Sequence, residues 1–402
     1  MTGLRIELRT SPMAWWLLGM TAVGLGWLFT QAGDWAQVWL RAAAAVQATV
    51  VFLGPMAAAA AAVAAGRVHR NTAAALTDRA ARPLWVQSAI QLAATALYTV
   101  VPYFVVTLVA LARPLTASIT PGGPWPSYIL LGMIAMLVCV GVGHAAGRLI
   151  AGPVAPAAAA VATFVCLGVL ASDSPYNLTV ISGAPNLRLN PSALAIRLVL
   201  AIAVLLVAVA LSWPAHRSRT TRNWAVPSAG AALVMGAVAV MGQLGYPQID
   251  RRPVDPLCST GTPQVCVWPE NEAHLEATAR LAEKVAAAAG GTIKLPKRFY
   301  EQGLKAAAED EPDGFTLSVG KDGVLEGMIT QIQPRPADCT LTDAGVEQFA
   351  DADQALYAWL YARASGEATA DGVLGKVLRE PEAKQLAWAR AQMKAITDAP
   401  CR

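Results

Sequence analysis

Lysine is missing from the first 245 residues of this 402-residue chain, and acids are nearly so, with only Glu7, Asp34, Asp78 and Asp173. Over the whole sequence 14% of residues are charged and 55% hydrophobic, where a soluble domain carries about 25% and about 45–50%. That shortage of charge excludes an ordinary cytosolic enzyme, and the apolar excess excludes a disordered chain. Histidine is scarce, at four residues, and no C-x₂₋₄-C pair exists to supply zinc-ligand spacing. No G-x-x-x-x-G-K-[ST] run is present; the segment Gly314 to Asp322 is one residue too long and ends in Asp, so no hydroxyl would reach Mg²⁺. Ser318 and Lys321 have S-x-x-K spacing on a predicted hairpin but lack the companion motifs of that chemistry. Glu270 and His274 stand i, i+4 without an H-E-x-x-H, and Glu309 to Gly314 lacks the alternating ligands of a calcium loop. No catalytic, cofactor-binding or metal-binding residues are expected, and the chain on its own reads as no enzyme.

What is present is a sharp division. Residues 1–245 hold 14 Arg and four acids, a formal +10; residues 246–402 hold 17 basic and 23 acidic residues, a formal −6. The net +4 describes neither part, and no basic stripe points to nucleic acid. About 20 apolar residues cross a bilayer as a helix, and the first part offers seven such stretches: 13–30, 43–65, 88–112, 128–147, 157–172, 193–213 and 225–245. The first reads as a retained span behind a cytoplasmic interfacial segment, 1–12, because no small-x-small cleavage site follows it. With the N-terminus inside, ten Arg fall on inner segments and three (Arg41, Arg113, Arg188) on outer loops, the asymmetry of the positive-inside rule. Trp15, Trp16, Trp85, Trp213 and Trp224 fall at inner ends and Trp35, Trp39 and Trp125 at outer ends, as an aromatic belt would place them. Seven spans then put the chain from 246 outside the cell membrane.

The expected fold is therefore an all-α polytopic membrane bundle, six core spans and a seventh, followed by an α+β, mostly helical extracytoplasmic domain. Cysteine supplies a separate argument. Cys139 and Cys166 sit in spans, whereas Cys258, Cys266, Cys339 and Cys401 all lie in the tail, an even number suited to two disulfides in an oxidising compartment. Three connectivities are open; Cys258–Cys266 and Cys339–Cys401 are preferred, and four free thiols in a cytosolic tail is the competing reading. Residues 246–269 read as a Pro-rich linker without regular structure and a Cys loop. Within 270–402 the spacing predicts helices at 270–289, 297–308, 342–364 and 382–397, and a hairpin of strands 315–319 and 324–332.

Inside the spans, Gln47, Gln91, His144 and Arg197 cannot all face lipid. Arg197 stands about a turn in from its span's outer end, so snorkelling to the interface is the ordinary expectation. His144 is read as a packed or interfacial histidine beside Arg148 rather than a proton relay. Gly143 and Gly147 form a small-xxx-small face for close helix packing. No acid lies centrally in a span, which disfavours ion-coupled secondary transport.

The longest inner loop, 67–87, reads RVHRNTAAALTDRAARPLWVQ and can form a short helix before Pro83, presenting Thr77, Asp78, Arg79 and Arg82. With the amphipathic start RIELRTSPMAWW and the stretch Ser172 to Ser192, this layout resembles the permease subunit of type-2 ABC exporters of high-GC bacteria, over about residues 1–213. The resemblance implies a coupling helix around Leu76 to Arg82, a separate cytosolic ABC ATPase as partner, and a homodimer or a heterodimer with a second permease in the lipid bilayer. The seventh span, the large outer domain and the lack of apolar re-entrant helices in 172–192 depart from that family's pattern. A membrane-anchored sensor or accessory protein with a ligand-binding outer domain is the alternative; a polytopic membrane enzyme ranks third.

Overall fold

The computed structural model describes all residues except 1–4, 6, 9–12, 32–34, 36–38, 71–83, 117–124, 151, 170–173, 180–182, 184, 212–224, 252–254, 305–313, 318–319, 337–338 and 367–371. The chain forms two compact units, one of Met1–Thr116, Pro124–Gly183 and Leu187–Asp250, the other of Ala117–Gly123, Ala184–Asn186 and Arg251–Arg402.

The first unit is helical. Its apolar helices are α1 (Met13–Thr30), α2 (Trp39–Ala48), α3 (Val50–Arg70), α4 (Leu84–Thr116), α5 (Pro126–Leu149), α6 (Val154–Val169), α7 (Pro191–Ala210) and α8 (Ala225–Leu244). Each predicted span thus meets a helix, and the second is divided at Thr49, whose hydroxyl donates to the Val46 carbonyl at 2.6 Å. Among the described residues, four stretches are long and apolar enough to cross a membrane: Trp39–Arg67, Trp85–Ala112, Pro126–Leu149 and Pro191–Ala210; the apolar parts of α1, α6 and α8 are shorter. Helix starts follow their local chemistry. Pro126 opens α5, and Asn190 caps α7 by accepting from the Ser192 amide ahead of Pro191.

Helix α3 is the centre of the bundle: its alanines at 57, 58, 60, 61, 64 and 65 are fully buried and give its neighbours a flat surface to pack on. Helix α5 closes on it through glycine, and α6 lays Ala155, Ala159, Thr163 and Leu167, every fourth residue, inward. Helix α8 packs on α7 and α1 on α4. Outward faces carry Trp15, Leu18, Leu97, Phe104, Leu108, Phe164, Ile202 and Met235, all exposed. The tryptophan belt is only partly realised. Trp35 is buried, its Nε1 donating to the Leu28 carbonyl at 2.8 Å, because its polar edge finds a partner at the end of α1 instead of the interface. A short antiparallel ribbon, β1 (Leu187–Leu189) with β2 (Gln248–Asp250), also belongs to this unit. The Pro-rich segment after α8 was expected to lack regular structure; Gln248 to Asp250 contain no proline and can complete a ladder, so it does not.

The second unit is mostly helical with a three-stranded sheet. Strands β3 (Leu257–Cys258) and β4 (Gln264–Val267) are antiparallel, and β5 (Arg298–Tyr300) joins β4 in parallel. A 3₁₀ turn, Pro269–His274, leads into α9 (Leu275–Ala289), followed after β5 by α10 (Gly320–Ile332), α11 (Asp343–Ser365), α12 (Gly372–Leu378) and α13 (Glu382–Thr397). The expected helices at 270–289, 342–364 and 382–397 match α9, α11 and α13 in position. Two expectations are corrected. Residues 298–300 are a strand, since Phe299 alternates with exposed Arg298 and fills the core beside Val265, and 301–304 turn away from it, so the described part of 297–308 is not a helix; 305–308 lie outside the described residues. Residues 320–332 are a helix and not half of a hairpin: Val324, Leu325, Met328, Ile329 and Ile332 are all buried, a period near 3.6. Phe315 keeps only a single bridge, to Glu301.

Both preferred disulfides are formed, Cys258–Cys266 and Cys339–Cys401. The first joins residues directly opposite in the β3–β4 register, so the Cys loop is a cross-linked strand pair. The second ties the C-terminus near the start of α11, where Leu341 bridges Cys401.

Candidate functional site

The side chains with chemical potential in the helical unit gather where the end of α3, the start of α4 and the end of α5 meet. Gly143 and Gly147 set the spacing. A Cβ at Gly143 would stand 2.6 Å from Ala58 Cα, and one at Gly147 would stand 2.8 Å from Ala62 Cα, so α5 rests on the backbone of α3. The predicted small-residue face is therefore a helix contact, with Ala58 and Ala62 as its counterpart.

That approach carries His144 and Arg148, one turn apart on α5, against Ser88 and Gln91 on α4. Ser88 Oγ lies 2.9 Å from His144 Nε2, and Arg148 Nη2 donates to Gln91 Oε1 at 3.2 Å. Ser88 and His144 are fully buried, and His144 Nδ1 has no hydrogen-bond partner among the described residues. At the same end, Arg67 on α3 pairs with Glu7 at 2.7 Å, and the Tyr98 hydroxyl donates to the Leu8 carbonyl. Four parts of the chain are thus linked by polar contacts: the N-terminal segment, α3, α4 and α5. The junction is suited to holding helix ends in register.

The predicted polar residues do not form one site. Gln47 is buried on α2 next to the bend at Thr49. Gln91 and His144 belong to the junction. Arg197 stands apart and is corrected from a snorkelling residue to a buried clamp, because carbonyls close to it satisfy its donors. It is fully buried, and its Nε, Nη1 and Nη2 donate to the carbonyls of Asn177, Ala193 and Pro175 at 2.8, 2.9 and 2.9 Å. Through them α7 holds the segment before β1. The proposed coupling residues Leu76, Thr77, Asp78, Arg79 and Arg82 lie outside the described residues, as does Ser318. Sequence reading missed Glu7, Arg67, Ser88 and Tyr98 as junction members. The signal available was the pairing of Ser88 and Gln91, three apart, with His144 and Arg148, four apart, both helix-face spacings.

In the second unit, Glu301 is buried and accepts from the Trp268 amide at 2.9 Å and from Asn271 Nδ2 at 2.7 Å. Burial pushes its carboxyl up to about 8 against those two hydrogen bonds, which favour the ionised form. Arg251 spans the outside of this turn, 3.9 Å over the Trp268 ring and ion-paired with Glu270. Glu270 is thereby committed to an ion pair, and among the described residues no group of His, Cys, Asp and Glu is arranged to hold a metal. A cavity of about 460 Å³ opens between α9, α11, α12 and α13, with Ala287, Ala288 and Ala362 lining it and Lys284, Arg363 and Gln385 as its polar groups. Gln385 is fixed there: its Oε1 accepts from Arg363 and Trp359, and its Nε2 donates to the Leu378 and Glu380 carbonyls.

Residues 265–399 match a family described as a domain of unknown function, DUF7224. No curated protein and no solved structure matches the chain.

Proposed function

We propose that this chain is the membrane permease subunit of an ABC-type exporter, coupling ATP hydrolysis by a separate cytosolic ATPase to movement of a substrate across the cell membrane. One observation carries the reading. The segment 71–83, which carries Arg79 and Arg82, connects α3 to α4; the start of α4 is bonded to α5 through Ser88–His144 and Gln91–Arg148, and the end of α3 is bonded to the N-terminal segment through Arg67–Glu7. A push on that segment would be passed by these contacts to the α3–α5 interface.

In this reading the helices cross the bilayer seven times, with α2 and α3 forming a single crossing. The outward faces of the shorter helices support it: Leu18 and Val23 on α1, Val161 and Phe164 on α6, and Leu233 and Met235 on α8 are large, apolar and exposed. The N-terminus is cytoplasmic and the second unit extracytoplasmic, a placement with which its two disulfides agree. The permease works as a homodimer or paired with a second permease, and catalysis belongs to the ATPase. Affinity purification from native membranes tests this. A nucleotide-binding subunit should co-purify, and Arg79→Glu with Arg82→Glu should strip it from an otherwise intact chain. Recovery of a stable oligomer without any ATPase at native expression refutes the reading. The cavity lined by Lys284 and Arg363 favours a second reading, a membrane-anchored sensor; a saturable small-molecule ligand of that cavity, with no ATPase present, would select it.

A further inference from the structure

Residues 246–402 carry a formal charge of −6, yet the cavity of the second unit is lined by cations. Lys284 of α9 and Arg363 of α11 both reach it, and among the described residues no acid lines it. Arg363 is held in place: its Nη1 donates to Gln385 Oε1 at 3.0 Å, its Nη2 to Glu382 Oε1 at 2.8 Å, and its guanidinium lies 5.0 Å from the centre of the Trp359 ring. Gln385 is fixed in turn by Trp359 Nε1 and by the Leu378 and Glu380 carbonyls. A guanidinium has more N–H donors than these two bonds use. Lys284 is exposed and, among the described residues, has neither a hydrogen bond nor an ion pair.

Helix-end electrostatics explains only part of this. Arg363 stands in the last turn of α11, where a cation offsets the macrodipole, but Lys284 stands before the last turn of α9. The charges suit a particular occupant. Lys284 and Arg363 bring two positive charges and Glu382, 65% exposed outside the cavity, offsets one, so the surplus balances a single carboxylate and not a dianion. The remaining wall is apolar, with Ala287, Ala288 and Leu378. The volume of about 460 Å³ falls within the range of small-molecule sites, about 300–1,000 Å³. A guanidinium already fixed by its neighbours needs little further ordering to bind.

We infer that the cavity between α9, α11, α12 and α13 is a binding site for a small organic monoanion, with its carboxylate between Lys284 and Arg363 and its apolar body against Ala287, Ala288 and Leu378. The site is a property of the second unit and stands apart from the exporter reading.

Competitive acetylation of the full-length chain in detergent tests it. Sulfo-N-hydroxysuccinimide acetate modifies exposed lysines and peptide mass spectrometry reads each one, with Lys294 and Lys394, both exposed, as internal controls. Benzoate is the probe, at constant ionic strength; benzamide, benzyltrimethylammonium and acetate are its neutral, cationic and body-less counterparts. Benzoate should slow acetylation of Lys284 saturably and leave both controls unchanged, while benzamide and benzyltrimethylammonium should have no effect. Acetate, lacking the apolar body, should need about ten-fold more. Arg363→Gln should raise the half-effective benzoate concentration about ten-fold, the loss of one charge-assisted contact. No protection of Lys284 by millimolar benzoate overturns the site, and so does equal slowing of all three lysines. Benzamide as effective as benzoate overturns the anion, and acetate as effective as benzoate overturns the apolar body. The parent chain carries each of these comparisons, so an Arg363→Gln variant that fails to fold leaves the test decisive. Recovery or loss of an ATPase on purification bears on the exporter reading alone.

Discussion

Gly143→Ala isolates the contact on which the helical unit is built. The added methyl would lie 2.6 Å from both Cα and the carbonyl carbon of Ala58, where ordinary contact begins at 3.4 Å, and the obstacle is backbone that no rotamer change can move. Helices α3 and α5 must therefore part by about 1 Å, a gap that forfeits a quarter to a half of each dispersion contact along the pair. Overpacking of this kind costs about 1–3 kcal/mol, and the better helix propensity of alanine returns up to about 1 kcal/mol. The expected net loss is about 1–2 kcal/mol, and a melting midpoint falls about 2–4 °C per kcal/mol in a unit of this size. Gly147→Ala should behave alike, and the double variant should cost less than the sum, since one separation relieves both clashes. Gly19, Gly26 and Gly168, where an added methyl would meet nothing within 4 Å, are the controls, and their alanine variants should melt at or slightly above the parent. Thermal denaturation followed by size-exclusion recovery in detergent reads all of these. The reasoning fails if Gly143→Ala melts with the controls.

Two other perturbations are decisive. Arg197→Met leaves the Pro175 and Asn177 carbonyls without their donor, and at about 1–3 kcal/mol for each stranded buried group it should open the segment around Pro175 to limited proteolysis; an unchanged cleavage map would contradict the clamp. Glu301 has a folded value near 8 and an ordinary value of 4.5, so the folded state binds the extra proton between those limits. Its contribution, at most about 5 kcal/mol, is fully present below about pH 4.5 and is lost as pH rises through about 8. Glu301→Gln should flatten the pH dependence of the melting midpoint across that window, and a slope unchanged from the parent would refute the assignment.

The helical unit was largely legible because run length and hydropathy are set by each segment alone. Gly143 and Gly147 were readable for the same reason: a small residue every fourth position has one structural use in an apolar helix. The pairing of Cys258 with Cys266 followed from their closeness in sequence. What failed depended on partners far along the chain. Residues 298–300 read as helix beside the Ala-rich stretch that follows, yet the open edge of β4 captured Phe299. Residues 320–332 contain both Gly320 and Gly323, which invite a turn, but the buried side of Val324 to Ile332 decides for a helix. Arg197 was misread because position along a span says nothing of a carbonyl-rich segment folded over it.

The scarcity of acids in the first 245 residues now has a structural consequence. Among the described residues, Arg197 is met by dipoles, three backbone carbonyls, while Arg67 pairs with Glu7 from the N-terminal segment. A guanidinium held by neutral groups keeps its full charge, whereas one held by a carboxylate is cancelled locally. Arg197 therefore brings its charge into the segment folded over it, whereas the charge of Arg67 is met where it stands.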